Sequence, residues 1–299
     1  MSRHEAPVHA TATSKKESAL HRVENGGDLA TAEMNRMQAY LINLERRPDR
    51  LRNMARQLSA LGIPFQRVDA LDAKNACDDE LAEHFNDRGP LGVIPKGDKC
   101  CSLSHLRAWH AFVQSGESHG LILEDDVAID SHAAPLLRDA DWIPPSVELL
   151  KLERYGPPGQ RVLLDERVSV SDRHRIGRLR SRHTGAAAYI LTRRTAEELI
   201  ERVGCWTVPV DHMLFNPNNS PLSHFLVPYQ MTPAIAHQTE ILGGCTDIGE
   251  WRAVLRHFDW TFVRREMVRA YFELRLLPQQ ILAVLRRECA LVRIDELPD

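Results

Sequence analysis

Apolar positions along the chain fall into short runs separated by stretches with helical spacing. "QAYLINL", Gln38 to Leu44, reads as a buried strand. Pro48 then fits the first turn of a helix. In "PDRLRNMARQLSALG", Leu51, Met54, Leu58 and Leu61 share one face, and Gly62 supplies a stop. "IPFQRVDA" returns as a second strand. Strand, helix, strand at this length is the crossover unit of a parallel sheet. A loop-rich, partly helical stretch over 72–98 leads to a helix in "CSLSHLRAWHAFVQSG", capped by Ser102 or Ser104. Its inner face is Leu103, Leu106, Trp109 (or His110) and Val113. The next strand, "LILEDDV", runs three aliphatic residues straight into Glu124, Asp125 and Asp126.

"VELLKL" and "TGAAAYILT" add strands, and "RRTAEELIERVG" a helix. "RYGPPGQ" and "SDRHRIGRLRSRHTG" read as mobile, functional loops. "PVDHMLFN", "HFLVPYQ" and "TPAIAHQTE" close the main domain. From about Glu250 the pattern turns helical and aromatic-rich, broken at Pro278. The pattern therefore predicts a Rossmann-type α/β domain over 37–249, its sheet mostly parallel and flanked by helices. A disordered extension precedes it over 1–36, where the chain is polar and without periodicity, and a helical appendage follows over 250–299.

Composition narrows the function. Hydrophobic content of 43% and charged content of 26% are ordinary for a soluble globular protein. A net charge of −3 gives no footprint for nucleic acid. No run approaches the roughly 18 apolar residues that a membrane span needs. The N-terminus has no apolar core of a secretory signal, which places the protein in the cytoplasm. The cysteines, Cys77, Cys100, Cys101, Cys205, Cys245 and Cys289, show no C-x-x-C pair and no zinc spacing, and read as thiols.

The acids after Leu123 are the main chemical feature. Carboxylates at a strand end repel one another and are costly to desolvate without a positive partner. The plain reading is that the strand surfaces and water solvates them. In an extended chain Glu124 and Asp126 face one way and Asp125 the other. The carboxyl edge of a parallel sheet is where α/β proteins bind ligands. Two carboxylates so placed can share Mn²⁺ or Mg²⁺, with a phosphate completing the shell. A receiver domain also begins with a strand ending in acids, but it needs a lysine after its phosphoacceptor. Asp172 could stand as acceptor, yet no lysine follows Lys151.

"AYLINLERRPDRL", "CSLSHLRAW", "LILEDDV", "TGAAAYILT" and "VPVDHMLF" occur in an order that resembles glycosyltransferase family 25. That family includes lipooligosaccharide galactosyltransferases and collagen galactosyltransferases. "TPAIAHQTE" followed by "TDI" is similar to the family's C-terminal region, with Thr246 in place of the usual Ser. Cys100 stands where the family has Gly. The resemblance implies a GT-A fold, a UDP-sugar donor (commonly UDP-galactose), a divalent metal and inversion at the anomeric carbon.

On that reading Asn43 and Arg50 flank the nucleotide, with Arg50 pairing a phosphate or else solvated on its helix. Asp69 holds ribose or base edges, or caps its strand. Ser104 and His105 open a helix whose dipole favours the diphosphate. Glu124 and Asp126 ligate the metal with His237, and Asp125 contributes to donor binding. Gly185 lets the backbone approach a ligand. Asp211 is the general base, the alternative being a cap for the turn that follows it.

The C-terminal aromatics and arginines fit a helical hairpin packed on the domain, or an interfacial helix on anionic lipid. Acids nearly equal arginines there, which weakens the lipid case. The expectation is a metal-dependent, inverting galactosyltransferase of lipopolysaccharide synthesis, acting on a saccharide acceptor that is free or lipid-linked. The alternative is a silent family member that only binds sugars or assembly partners.

Overall fold

The structure is a computed structural model that describes residues 37–239 and 260–295. The expected extension over 1–36, the "TDI" motif and the first residues of the appendage lie outside the described residues. The chain opens with β1 (Gln38–Asn43), α1 (Pro48–Leu61), β2 (Phe65–Asp69), α2 (Asp78–His84), α3 (Lys96–Ser115) and β3 (His119–Glu124). It continues through β4 (Val127–Ile129), α4 (Ala134–Leu137), β5 (Leu149–Lys151), β6 (Glu153–Arg154), β7 (Arg161–Asp165), β8 (Val168–Ser169) and β9 (Arg175–Arg178). Then come β10 (Ala188–Thr192), α5 (Arg193–Arg202), α6 (Val210–Phe215), β11 (Pro228–Thr232), β12 (Ala236–Gln238), α7 (Trp260–Leu285) and β13 (Cys289–Arg293).

Eight strands form one sheet in the order β2-β1-β3-β10-β5-β11-β9-β8. β2, β1 and β3 are parallel, and β5 and β11 are parallel. Because β10 is antiparallel to both β3 and β5, these two run the same way. The sheet is thus mostly parallel in direction, with β10 and β9 reversed, as the strand–helix pattern predicts.

Both faces are covered, so the central strands read as unbroken apolar runs. Alternation still sorts their side chains. Ala39, Leu41, Leu121, Leu123 and Ile190 pack with Met54, Leu58 and Leu61 of α1. Tyr40, Ile42, Ile122, Tyr189 and Leu191 pack on the other face with Ala108, Trp109 and Phe112 of α3 and with Leu199 of α5. A Cβ on Gly120 of β3 would lie 2.7 Å from the Phe112 ring, so only glycine lets α3 pack this close. α1 starts on Pro48, and Gly62 ends it in the left-handed conformation at φ 70°, donating its N–H to Leu58 and Ser59.

Three elements depart from the sequence reading. α3 begins at Lys96, behind Pro95, so Ser102 and Ser104 lie inside it and cap nothing. Its buried face carries Ser102, Ser104 and His105 beside Trp109 and Phe112, whereas Leu103, Leu106 and Val113 are only half buried. Part of "SDRHRIGRLRSRHTG" is the strand β9, paired with β11 and β8 through buried Ile176. α7 runs through Pro278, and β13 follows it as a strand antiparallel to β7. Cys289 and Val292 are buried three positions apart among exposed neighbours, a spacing that reads as helical rather than as a strand.

Phe112→Ala opens a cavity against β3 and should cost about 3–5 kcal/mol. Leu103→Ala, on the half-buried flank, should cost clearly less. Urea unfolding of the two variants checks the order.

Candidate active site

The chain leaves β1 through α1 on one face of the sheet and reaches β3 through α3 on the other. The strand order reverses between β1 and β3, and ligands bind at the carboxyl ends of such a switch point. A cleft of about 220 Å³ lies there. Its lining includes Arg46, Arg50, Glu124, Asp125 and Asp126. It also includes Tyr155, Gly185, Ala186 and Asp211. Reversed β10 brings its leading residues to the same edge as the trailing ends of β3 and β5, which is why Gly185 arrives beside Glu124.

β3 ends at Glu124, and Asp125 and Asp126 turn into β4. The simple alternation of the three acids therefore stops at Glu124. Asp125 turns inward, where Asn43 Nδ2 donates to its Oδ2 at 2.6 Å and Arg50 Nη1 to its Oδ1 at 2.9 Å. Asn43 is buried beneath the cleft; it also donates to the Arg47 carbonyl at 3.1 Å and accepts from Arg67 at 3.0 Å. Arg50 Nη1 lies 3.9 Å from Asp126 Oδ2 as well. Burial pushes the Asp125 carboxyl up, and Arg50 and Asn43 oppose that shift by stabilising the ionised form.

Glu124 is held from behind. Trp109 Nε1–H donates to Tyr189 Oη at 2.8 Å, and Tyr189 Oη lies 2.9 Å from His105 Nδ1. The indole can only donate, so the tyrosine proton goes to Nδ1, and His105 Nε2–H donates to Glu124 Oε1 at 3.1 Å. His105 lies in the middle of α3 and is wholly buried, so it does not open the helix towards a diphosphate as its position in the sequence suggested. Cys101 Sγ approaches the same Oε1 at 3.6 Å, and burial holds its thiol well above the usual range. Cys101, His105 and Glu124 bring ligand atoms to within 4.8 Å of one another, but protonated sulfur and Nε2–H make this a hydrogen-bonded cluster.

The two serines of α3 hold backbone of two segments that line the cleft. Ser104 Oγ donates back to the Cys100 carbonyl at 2.7 Å and accepts the Leu71 N–H at 2.8 Å. Ser102 Oγ does the same with Asp98 at 2.7 Å and the Val210 N–H at 3.0 Å. That second bond places the start of α6. Pro209 is the residue before this helix, and Asp211 sits in its first turn, so Asp211 is not its cap. Asp211 Oδ2 instead accepts the Gly185 N–H at 3.2 Å, and Oδ1 accepts from His212 N at 2.8 Å.

Two expected residues fall elsewhere. Asp69 ends β2 with a side chain 73% exposed and pairs with Arg67 at 2.6 Å, away from the cleft lining. His237 lies in β12 against β4 and does not line the cleft; its neighbour Gln238 does, donating to Glu124 Oε2 at 3.4 Å. One-residue alternation in a short strand decides between the two, and the sequence offers no register for it. Glu124 and Asp126 line the cleft with the carboxylate chemistry that a hard cation takes, although Glu124 also accepts from His105 and Gln238. Sequence reasoning also missed Arg46, Lys74 and Tyr155 in the lining, which lie on loops without periodicity.

Residues 37–214 match the family described as glycosyltransferase family 25 (LPS biosynthesis protein). The chain belongs to glycosyltransferase family 25. It is 25% identical over 215 residues to the lacto-N-neotetraose biosynthesis glycosyltransferase LgtE of Neisseria meningitidis, covering 68% of this chain and 74% of that one. It is 24% identical over 208 residues to the lipooligosaccharide biosynthesis protein lic2B of Haemophilus influenzae, covering 67% and 75%. A glycosyltransferase 25 family member of Aedes aegypti is 28% identical over 225 residues, covering 68% of this chain and 36% of that one. The matched span contains the acid cluster, Asp211 and every other lining residue except Gln238.

Arg50→Met leaves the buried Asp125 carboxylate without its cation and should cost about 3–5 kcal/mol at neutral pH. The sign with pH follows from linkage. A carboxyl whose folded pKa lies above its unfolded value loses stability as pH rises from the unfolded value through the folded one. Removing Arg50 raises the folded value further, so the deficit should be small near pH 4 and grow towards pH 7. Urea unfolding of both proteins across this range measures it.

Proposed function

We propose that this family-25 enzyme is an inverting glycosyltransferase that moves galactose from UDP-galactose to a saccharide acceptor in lipopolysaccharide or lipooligosaccharide synthesis. The observation that carries the reading is the cleft itself, whose lining brings acids and arginines together with Asp211. A nucleoside diphosphate suits the part lined by Arg46 and Arg50, whose guanidinium groups match its oxygens in charge. Glu124 and Asp126 would hold Mn²⁺ or Mg²⁺ there. The bound ion would supply charge neutralisation for the departing diphosphate.

Asp211 takes the proton of the acceptor hydroxyl as that oxygen attacks the anomeric carbon, and the diphosphate leaves from the opposite side. Two backbone N–H bonds orient its carboxylate. The names of the LgtE and lic2B relatives, which refer to lacto-N-neotetraose biosynthesis and lipooligosaccharide biosynthesis, support a saccharide acceptor.

A lipid-linked acceptor agrees with one surface. Met267, Tyr271, Leu274, Leu277, Ile281 and Leu285 are exposed along one side of α7. Acids nearly equal arginines over 250–299 as a whole, but between Trp260 and Glu288, Arg264, Arg265, Arg269, Arg275, Arg286 and Arg287 outnumber Glu266, Glu273 and Glu288. Two such helices repel, whereas an anionic bilayer attracts each. No helix among the described residues is long and apolar enough to cross a membrane. We therefore place the enzyme at the cytoplasmic face, with this side of α7 on the lipid surface.

Asp211→Asn should keep donor affinity within a few-fold and lower kcat by roughly 10²–10⁴. Full turnover in a folded variant would remove Asp211 from the chemistry. Flotation with vesicles tests the surface: the protein should rise with phosphatidylglycerol-containing vesicles and stay behind with pure phosphatidylcholine. Leu274→Glu with Ile281→Glu should abolish flotation while the protein stays folded. A wild-type protein that ignores anionic vesicles would contradict the placement.

A further inference from the structure

Lys151 and Glu153 are both fully buried, and their side chains pair at 3.1 Å. Neither lines the cleft. A buried ion pair is seldom more stable than apolar residues of the same volume, so stability alone does not account for it. What the pair binds is informative. Lys151 Nζ donates to Glu153 Oε1, to the Thr184 carbonyl at 2.8 Å and to the Gly185 carbonyl, which uses all three of its N–H groups. Glu153 Oε1 also accepts the Ala187 N–H at 2.8 Å. Three backbone groups within residues 184–187, the run that leads into β10 along the cleft, are therefore held by this one pair.

The consequence follows from peptide geometry. In a planar trans peptide the C=O and the next N–H point in opposite directions. Drawing the Thr184 carbonyl inward onto Lys151 turns the Gly185 N–H outward, towards the cleft, where Asp211 Oδ2 accepts it at 3.2 Å. Gly185 adopts φ +92°, and a Cβ there would lie 2.8 Å from the Tyr155 ring and 2.9 Å from Glu153 Oε1. Reversing this peptide would point a carbonyl at the Asp211 carboxylate instead.

We propose that Lys151 and Glu153 are positioning residues that set the sense of the Thr184–Gly185 peptide, so that its N–H holds Asp211 in the orientation of a general base. The inference rests on the assignment of Asp211 given above. The pair touches neither donor nor acceptor and acts through one backbone hydrogen bond.

The test uses Lys151→Met with Glu153→Gln, which leaves no lone charge buried, and Glu153→Gln alone, which keeps the acceptor for Ala187. In the double variant kcat should fall roughly 10–10²-fold, the scale of a misplaced catalytic group, with UDP-galactose affinity within about threefold. In an Asp211→Asn background the same double substitution should lower the residual rate no further, because the group it positions is gone. A purely structural role would instead lower the melting temperature and leave kcat of the folded protein unchanged, which overturns the proposal. So would a kcat loss that multiplies with that of Asp211→Asn, since the pair would then act elsewhere. Wild-type turnover in Asp211→Asn alone is a separate outcome: it removes the base assignment itself. If Lys151→Met with Glu153→Gln fails to fold, Glu153→Gln carries the same two comparisons.

Discussion

Three consecutive carboxylates at the end of a buried strand must meet positive charge, and the Asn43–Asp125–Arg50 contact meets that requirement from within the chain. Asp125 lies against the β1 terminus through Asn43 and against the first turns of α1 through Arg50. The three elements that meet at the switch point are therefore joined by one buried carboxylate. Turning Asp125 inward also leaves Glu124 and Asp126 bordering the cleft. Of the acids that would repel one another in a plain strand end, Asp125 is committed to architecture, and the proposed reading gives the other two to the ligand.

The surrounding polar contacts extend that logic. His105 fixes Glu124 from behind, and its own proton position is set by Tyr189 and Trp109. Ser104 and Ser102 bond to Leu71 and Val210, which both line the cleft. Across the cleft, Lys151 and Glu153 secure the peptides before β10 and, through Gly185, reach Asp211. Asn43, Ser102, Ser104, His105 and Lys151 each bond a group that borders the cleft. Such groups are costly to bury, and their convergence on one edge of the sheet marks that edge as the functional one.

Legibility in the sequence followed periodicity. β1, α1, β2 and β3 could be read because apolar alternation and helical spacing report burial directly, and Pro48 and Gly62 mark the helix ends. The acid cluster was visible as chemistry at a strand end. α3 was misread because its buried face is partly polar: Ser102, Ser104 and His105 serve as ties, and no hydrophobic pattern shows them. The start at Lys96 was hidden for the same reason. Asp211 was found by residue type, but its partner is Gly185, 26 positions earlier, a contact that only the fold creates. Lys151 stood out as the last lysine, yet its role depends on long-range backbone contacts that no local pattern carries. Choosing Gln238 over His237 needed the register of β12 against β4.

The central claim is that the acids after β3 hold a nucleotide sugar through a divalent cation. Calorimetric titration of UDP-galactose into wild type and Asp126→Asn, each with and without Mn²⁺, tests it most directly. The account predicts Mn²⁺-dependent binding in the wild type and loss of that dependence in the variant, at an unchanged melting temperature. Wild-type Mn²⁺ dependence in Asp126→Asn would mean that the acids are merely solvated, and would contradict the account.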